Sequence, residues 1–149
     1  VSVLIPEAYV LDLDVRLGLY RRLSGLTKKV EFEGFAAELI DRFGKLPSEV
    51  NTLLLVVRIK SVCKKAGIGK LDGGPKGATL QFHNDKFISP EGLVEFINQQ
   101  NGMAKVKDNK LIIRRDWRKN SDKFKGAFSI AKDLAEIAAS YKKKNSTKK

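Results

Sequence analysis

The chain has 149 residues, 29 Lys or Arg against 17 Asp or Glu, one His, one Cys and 42% apolar content, enough for a real core in a single domain and too much for wholesale disorder. One cysteine excludes an internal disulfide, and one cysteine with one histidine excludes a zinc cluster of about four such ligands. No apolar run approaches the ~20 residues of a bilayer span and no signal segment opens the chain, so the composition predicts a cytoplasmic protein with no membrane contact, metal or cofactor.

The formal net charge of +12 is unevenly spread. Residues 1–51 hold 7 basic and 8 acidic groups, whereas residues 105–149 hold 15 basic and 5 acidic ones. The chain starts at Val1 and has its single methionine at Met103, which reads as a piece of something longer.

Val3-Leu4-Ile5 before Pro6 reads as a strand end or connector from an upstream domain. An amphipathic helix is predicted from Asp12 or Asp14 to Leu23, with aspartate as cap and Val15, Leu19, Leu23 and Tyr20 as its apolar stripe. The next helix, about Val30 to Phe43, has the cleanest pattern. Phe32, Phe35, Ala36, Leu39, Ile40 and Phe43 share one face, and Glu38, Asp41 and Lys45 point the other way, with Arg42 at the flank. Gly44 is suited to a left-handed C-cap. Leu46-Pro47-Ser48-Glu49 opens a third helix that runs to Ala66 and stops at Gly67. It is apolar on two faces, which predicts the buried core helix.

Beyond Gly67 the pattern changes. Ile68–Leu71, a Gly73–Gly77 turn and Ala78–His83 read as a hairpin. Ser89 caps a helix with Pro90 at its first position, and Leu93, Val94, Phe96 and Ile97 face the core. Met103–Lys107, a turn at Asp108-Asn109 and Leu111–Arg115 form a second hairpin. A last helix is expected over Ser121–Tyr141, followed by a polar, disordered tail. The order predicts a single α+β domain, helices packed on small antiparallel hairpins, and not a doubly wound parallel sheet.

Catalytic chemistry is sparse. His83, flanked by Phe82 and Asn84, reads as a surface or turn histidine, and Cys63 inside an apolar helix reads as an inert packing residue. Gly73–Gly77 lacks the Gly-Lys-Ser/Thr order of a phosphate-binding loop and precedes a strand, so it reads as a plain turn. Glu38 and Asp41, three residues apart, leave two readings open. One is a solvated face with a Glu38–Arg42 pair, and the other is an acidic patch that docks on a partner's arginines. Lys105, Lys107, Lys110, Arg114, Arg115, Arg118 and Lys119 surround the second hairpin with Trp117 and Phe124 among them. They read either as a nucleic-acid contact or as the wet face of a half-buried sheet around core aromatics.

The run Glu38-Leu39-Ile40-Asp41-Arg42-Phe43-Gly44-Lys45-Leu46-Pro47 closely resembles the signature of the C-terminal domain of the bacterial transcription-repair coupling factor. Ile5-Pro6-Glu7-Ala8-Tyr9-Val10, Arg16-Leu17-Gly18-Leu19-Tyr20-Arg21-Arg22-Leu23 and Ala66-Gly67-Ile68-Gly69-Lys70-Leu71 resemble the same family. The similarity spans Ile5 to Leu71 well and the basic rear only loosely.

The resemblance implies a parent that is an ATP-driven DNA translocase, which displaces RNA polymerase stalled at lesions and recruits excision repair, cytoplasmic and nucleoid-associated. It implies that this terminal domain is non-catalytic and autoinhibitory. It would dock on the UvrB-like module of the same chain and mask the surface for UvrA, with Glu38 and Asp41 as docking acids and Arg42 beside them. The expected layout is a connector over residues 1–8, a regulatory domain over 9–141 and a basic disordered tail over 142–149.

Overall fold

The computed structural model describes residues 4–146. Five helices and one four-stranded antiparallel sheet bear out the α+β expectation. Residue contacts divide the chain into two compact units, Val1–Ser61 and Val62–Lys149.

The first unit is helical. Helix α1, Leu13–Ser24, starts where the sequence placed it: the Asp12 carboxylate accepts the Val15 N–H at 3.0 Å and satisfies a first-turn donor that would otherwise be orphaned. Helix α2, Lys29–Phe43, begins without a side chain acceptor at its cap. Instead Glu31 reaches back to the Thr27 and Lys28 N–H groups at 3.1 and 2.9 Å, the returning half of a capping box. Gly44 ends α2 at φ +94°, but its ψ of −168° is extended and not the left-handed cap the sequence suggested.

The core of this unit is Ile5, Val10, Leu19, Leu23, Phe32, Phe35, Leu39, Val50 and Leu53. Ile5, expected within a connector, is therefore packing material. Its N–H donates to the Tyr20 hydroxyl at 2.6 Å, and the Tyr9 hydroxyl lies 3.1 and 2.7 Å from the Leu39 and Gly44 carbonyls. These contacts tie residues 5–10 to α1 and α2. The part of the expected connector over residues 1–3 lies outside the described residues. Ile40, expected on the apolar face of α2, is half exposed, because Leu39 and Phe35 centre the buried stripe and leave Ile40 on its flank.

Helix α3, Ser48–Ala66, has buried residues on both predicted faces, Val50 and Leu53 on one and Ile59 and Ala66 on the other. Leu54, Leu55, Val57 and Val62 are only half-buried, so α3 is not the enclosed helix its two apolar faces suggested.

In the second unit, β1 (Ile68–Gly74), β2 (Gly77–Phe82), β3 (Ala104–Lys107) and β4 (Lys110–Arg114) pair in the order β1-β2-β4-β3. The two expected hairpins are thus one sheet, joined by antiparallel pairing of Ala78 with Ile113 and Leu80 with Leu111. Gly73 and Gly74 belong to β1, so the turn shrinks to Pro75-Lys76. Asp108 and Asn109 both have positive φ, 54° and 63°, the geometry of a tight hairpin whose twist matches its strands. One face of the sheet carries Ala78, Leu80, Phe82, Ala104, Leu111 and Ile113, all buried, and faces α4 (Pro90–Asn98) and α5 (Asn120–Ser146). Ser89 caps α4 as the sequence predicted, accepting the Gly92 N–H at 3.2 Å with Pro90 in the first turn. Val94, expected in the core, is exposed.

Helix α5 buries Ala127, Ile130, Ala131, Leu134 and Ala138, and Trp117 lies buried against its Gly126. The helix continues to Ser146, so Lys142, Lys143 and Lys144 sit in its last turns and not in a disordered tail. Lysine is a good helix former, and cations suit the negative end of the helix dipole. Residues 147–149 of the expected tail lie outside the described residues.

Candidate functional site

The sequence singled out two surfaces, one in each unit. On the first, α2 is fixed by Phe32, Phe35 and Leu39, all buried, so its outer side is held in place. Glu38 sits on the flank that α1 approaches. Arg22 of α1 grips it with two parallel hydrogen bonds, Nη1 to Oε2 at 2.6 Å and Nη2 to Oε1 at 2.8 Å, and Arg42 adds Nη1 to Oε2 at 3.2 Å. Both guanidinium groups rest on aromatic rings of α2, Arg22 at 5.3 Å from the Phe35 centroid and Arg42 at 4.9 Å from that of Phe43. Flat, delocalised arginine suits both contacts at once, and lysine could not replace it.

The Glu38–Arg42 pair expected from spacing is therefore present, but the stronger partner is Arg22, which no spacing rule on α2 could reveal. Hydrogen bonds from Arg22, and then from Arg42, hold the Glu38 carboxyl down to about 2, from an ordinary value of 4.5. A carboxyl with a depressed folded-state pKa contributes stability that is complete above its unfolded value and is lost as pH falls through the folded one. Stability contributed by this cluster is therefore expected to disappear between about pH 4.5 and 2. The side chain keeps 37% exposure, so solvent screens the effect and it is modest. Denaturant midpoints for Glu38→Gln should fall less steeply over that window than those of the parent chain. Identical slopes would mean that the arginine grip does not persist in solution.

Asp41 is different. It is exposed, on the side of α2 opposite the core, and among the described residues its side chain makes no hydrogen bond or ion pair. The three expected docking residues are thus close together but unequal: Glu38 and Arg42 are engaged with each other and with Arg22, and Asp41 is available.

The basic residues of the second surface divide three ways. Lys105, Lys107, Lys110 and Arg114 lie on the sheet face opposite α4 and α5. Arg115 is turned aside: its guanidinium bonds the Gln100 amide oxygen and its N–H donates to the Lys76 carbonyl. Arg118 pairs with Asp116 at 3.1 Å, and Lys119 is exposed ahead of α5. Trp117 is buried, a core aromatic beside the wet face of the sheet.

Cys63 is buried and its thiol is pushed up to about 11, away from the reactive range, while His83 is exposed in a short turn. Among the described residues no group of three or more His, Cys, Asp or Glu could hold a metal, and no helix is long and apolar enough to cross a membrane.

A cleft of about 670 Å³ between α4 and α5, lined by Glu91, Glu95, Asp133 and Glu136, was not visible in the sequence. Burial first, and the charge of Glu136 next, push the Asp133 carboxyl up. The acids closest in sequence across the cleft, Glu95 and Asp133, are 38 residues apart, so only the docking of the two helices gathers them.

The family model for the TRCF domain matches residues 1–93. The transcription-repair-coupling factor of Rickettsia conorii is 43% identical over 112 residues, covering 74% of this chain and 10% of that protein. That of Escherichia coli is 35% identical over 97 residues, covering 65% of this chain and 8% of that protein. The chain thus spans about a tenth of the length of the curated relatives it matches. A crystal structure of the C-terminal domain of transcription-repair coupling factor superposes with a TM-score of 0.72, at 21% identity and over 94% of this chain and 91% of that one. At that identity the likeness speaks for the fold.

Proposed function

The chain belongs to the transcription-repair coupling factor family, and from that premise we propose that it is a non-catalytic regulatory domain that docks on the UvrB-like module of its own parent. Docked there, it would mask the surface that binds UvrA, and its release would follow engagement of RNA polymerase stalled at a lesion. The parent would supply ATP-driven translocation on DNA. The observation that carries the reading is Asp41, an available carboxylate on the outer side of a rigidly seated helix, beside a Glu38 held in position by two arginines. A partner arginine could pair with Asp41 directly and share Glu38 with Arg42. A polar contact of this kind is worth a few kcal/mol, which suits a latch that must open.

The arrangement refines which acid matters. Asp41→Arg inserts a like charge facing the partner and leaves the Arg22–Glu38–Arg42 cluster intact. It should weaken binding of the chain to the separately prepared UvrB-like module about tenfold or more. Adding Glu38→Arg should abolish the binding. Binding that survives both changes would put the interface elsewhere. Absence of wild-type binding at millimolar concentration, the level that tethering in one chain provides, would sink the latch.

A further inference from the structure

We propose that the open face of the sheet in residues 62–149 binds duplex nucleic acid through its phosphates, with Lys105, Lys107, Lys110 and Arg114 as the contacts and Lys70 at the margin. This proposal concerns a different surface and does not depend on the latch.

Register decides which side chains share the face. Asp72 pairs with Thr79, Thr79 with Ile112 and Ile112 with Lys105, so these four cross the sheet in one row. Lys70 beside Gln81 and Lys110 beside Lys107 stand in the next row, and Arg114 beside Gly77 in the row on the other side. The buried rows lie between them and point at α4 and α5, and Lys70, Lys105, Lys107, Lys110 and Arg114 of the open rows are exposed. Four cations from β3 and β4, strands that flank one tight turn, therefore stand on one uncovered surface. The acids near them are Asp72, 3.8 Å from Lys70, and Asp108 in the turn. Lys105, Lys107, Lys110 and Arg114 are exposed and make no side-chain ion pair among the described residues.

Alternation alone would put polar residues here, but it does not explain their sign. Lys107 faces Lys110 directly across the ladder, and like charges in that position destabilise a sheet. Threonine or an oppositely charged partner would serve the fold better. The cost becomes intelligible if an anion sits over the pair. The middle of the face is Thr79, Gln81 and Ile112, with no aromatic ring. Single-strand binding relies on stacking platforms, so their absence favours the closely spaced phosphates of a duplex. Contacts of this type position a backbone and read no sequence.

The test is binding of the 149-residue chain to a labelled 20-base-pair duplex and to the matching single strand at low salt, followed by salt titration. With four phosphates engaged, log K against log salt should fall with a slope of about −4 for the duplex. Lys105→Gln, Lys107→Gln and Lys110→Gln together should weaken duplex binding at least about tenfold and flatten the slope by nearly three. The triple change Lys119→Gln, Lys125→Gln and Lys132→Gln removes the same charge elsewhere and should do little. Lys110→Gln alone should raise the melting temperature slightly by relieving the Lys107 repulsion, which separates loss of contact from loss of fold. Equal loss in the two triple variants, tighter binding to the single strand, no duplex binding at low salt, or equally tight binding of a polyglutamate peptide would each overturn the proposal.

Discussion

Replacing Gly77 by alanine is expected to destabilise the second unit by about 3 kcal/mol, the largest effect of any methyl group that could be added to the sheet. Gly77 opens β2 at φ +130°, a conformation that a Cβ disfavours by itself. The added carbon would also lie 2.0 Å from the Ile113 carbonyl oxygen, 2.8 Å from the Arg115 nitrogen and 3.0 Å from the Arg114 Cα. All three are backbone atoms of the strand and its extension that join the two hairpins, and backbone has no rotamer through which to retreat. Either β2 shifts away from β4 or the pairing of Ala78 with Ile113 is lost. Gly74, its partner across the β1–β2 turn, supplies the control: a Cβ there meets nothing within 4 Å, so Gly74→Ala should stay within about 0.5 kcal/mol of the parent chain. Thermal melting read in the sheet region separates the two. Equal stability of the variants would show that β2 and β4 do not approach in this register, and would remove the surface on which the duplex proposal rests.

That close approach is also where the sequence stops being readable. Several signals that act within a few residues were legible: Asp12 as a cap, Ser89-Pro90 opening α4, the turn at Asp108-Asn109, and the three-four spacing of Phe32, Phe35 and Leu39. Gly73–Gly77 was visible only as a hairpin turn. Nothing local says that Gly77 is needed because Ile113, 36 residues on, presents its carbonyl there.

The candidate sites follow the same rule. Glu38 with Arg42 is an i, i+4 pair and could be read from spacing, but Arg22 comes from another helix and takes the larger share of Glu38. The basic cluster was visible as composition, and only the joined sheet shows that Arg115 and Arg118 leave it while Lys70 borders it. The tail failed for a different reason: Lys142–Lys144 reads as solvated charge, yet Ala138 and Leu134 anchor the turns before it and the helix simply continues.

Leu39 provides the second large effect, and it separates what holds the acidic surface from what acts on it. The side chain is 1% exposed at the centre of the first unit's core and lies one residue from Glu38 and two from Asp41. Leu39→Ala removes about three methylene-equivalents from a packed site whose neighbours, Phe35 and Val50 among them, cannot fully close the gap. A loss of about 3 kcal/mol is expected, within the range of such truncations. Much of the marginal stability of a unit this small would go with it. Asp41→Arg, two positions on, touches no core atom and should leave the unfolding midpoint almost unchanged while weakening docking. Leu39→Ala should do the reverse at temperatures where the variant remains folded: it should lower the midpoint and spare the charge-dependent part of binding. Denaturation and binding measured on both variants check this in one experiment. Docking lost equally in the two would mean that partner recognition depends on the packing of α2 as a whole, and the case for Asp41 as a specific contact would fail.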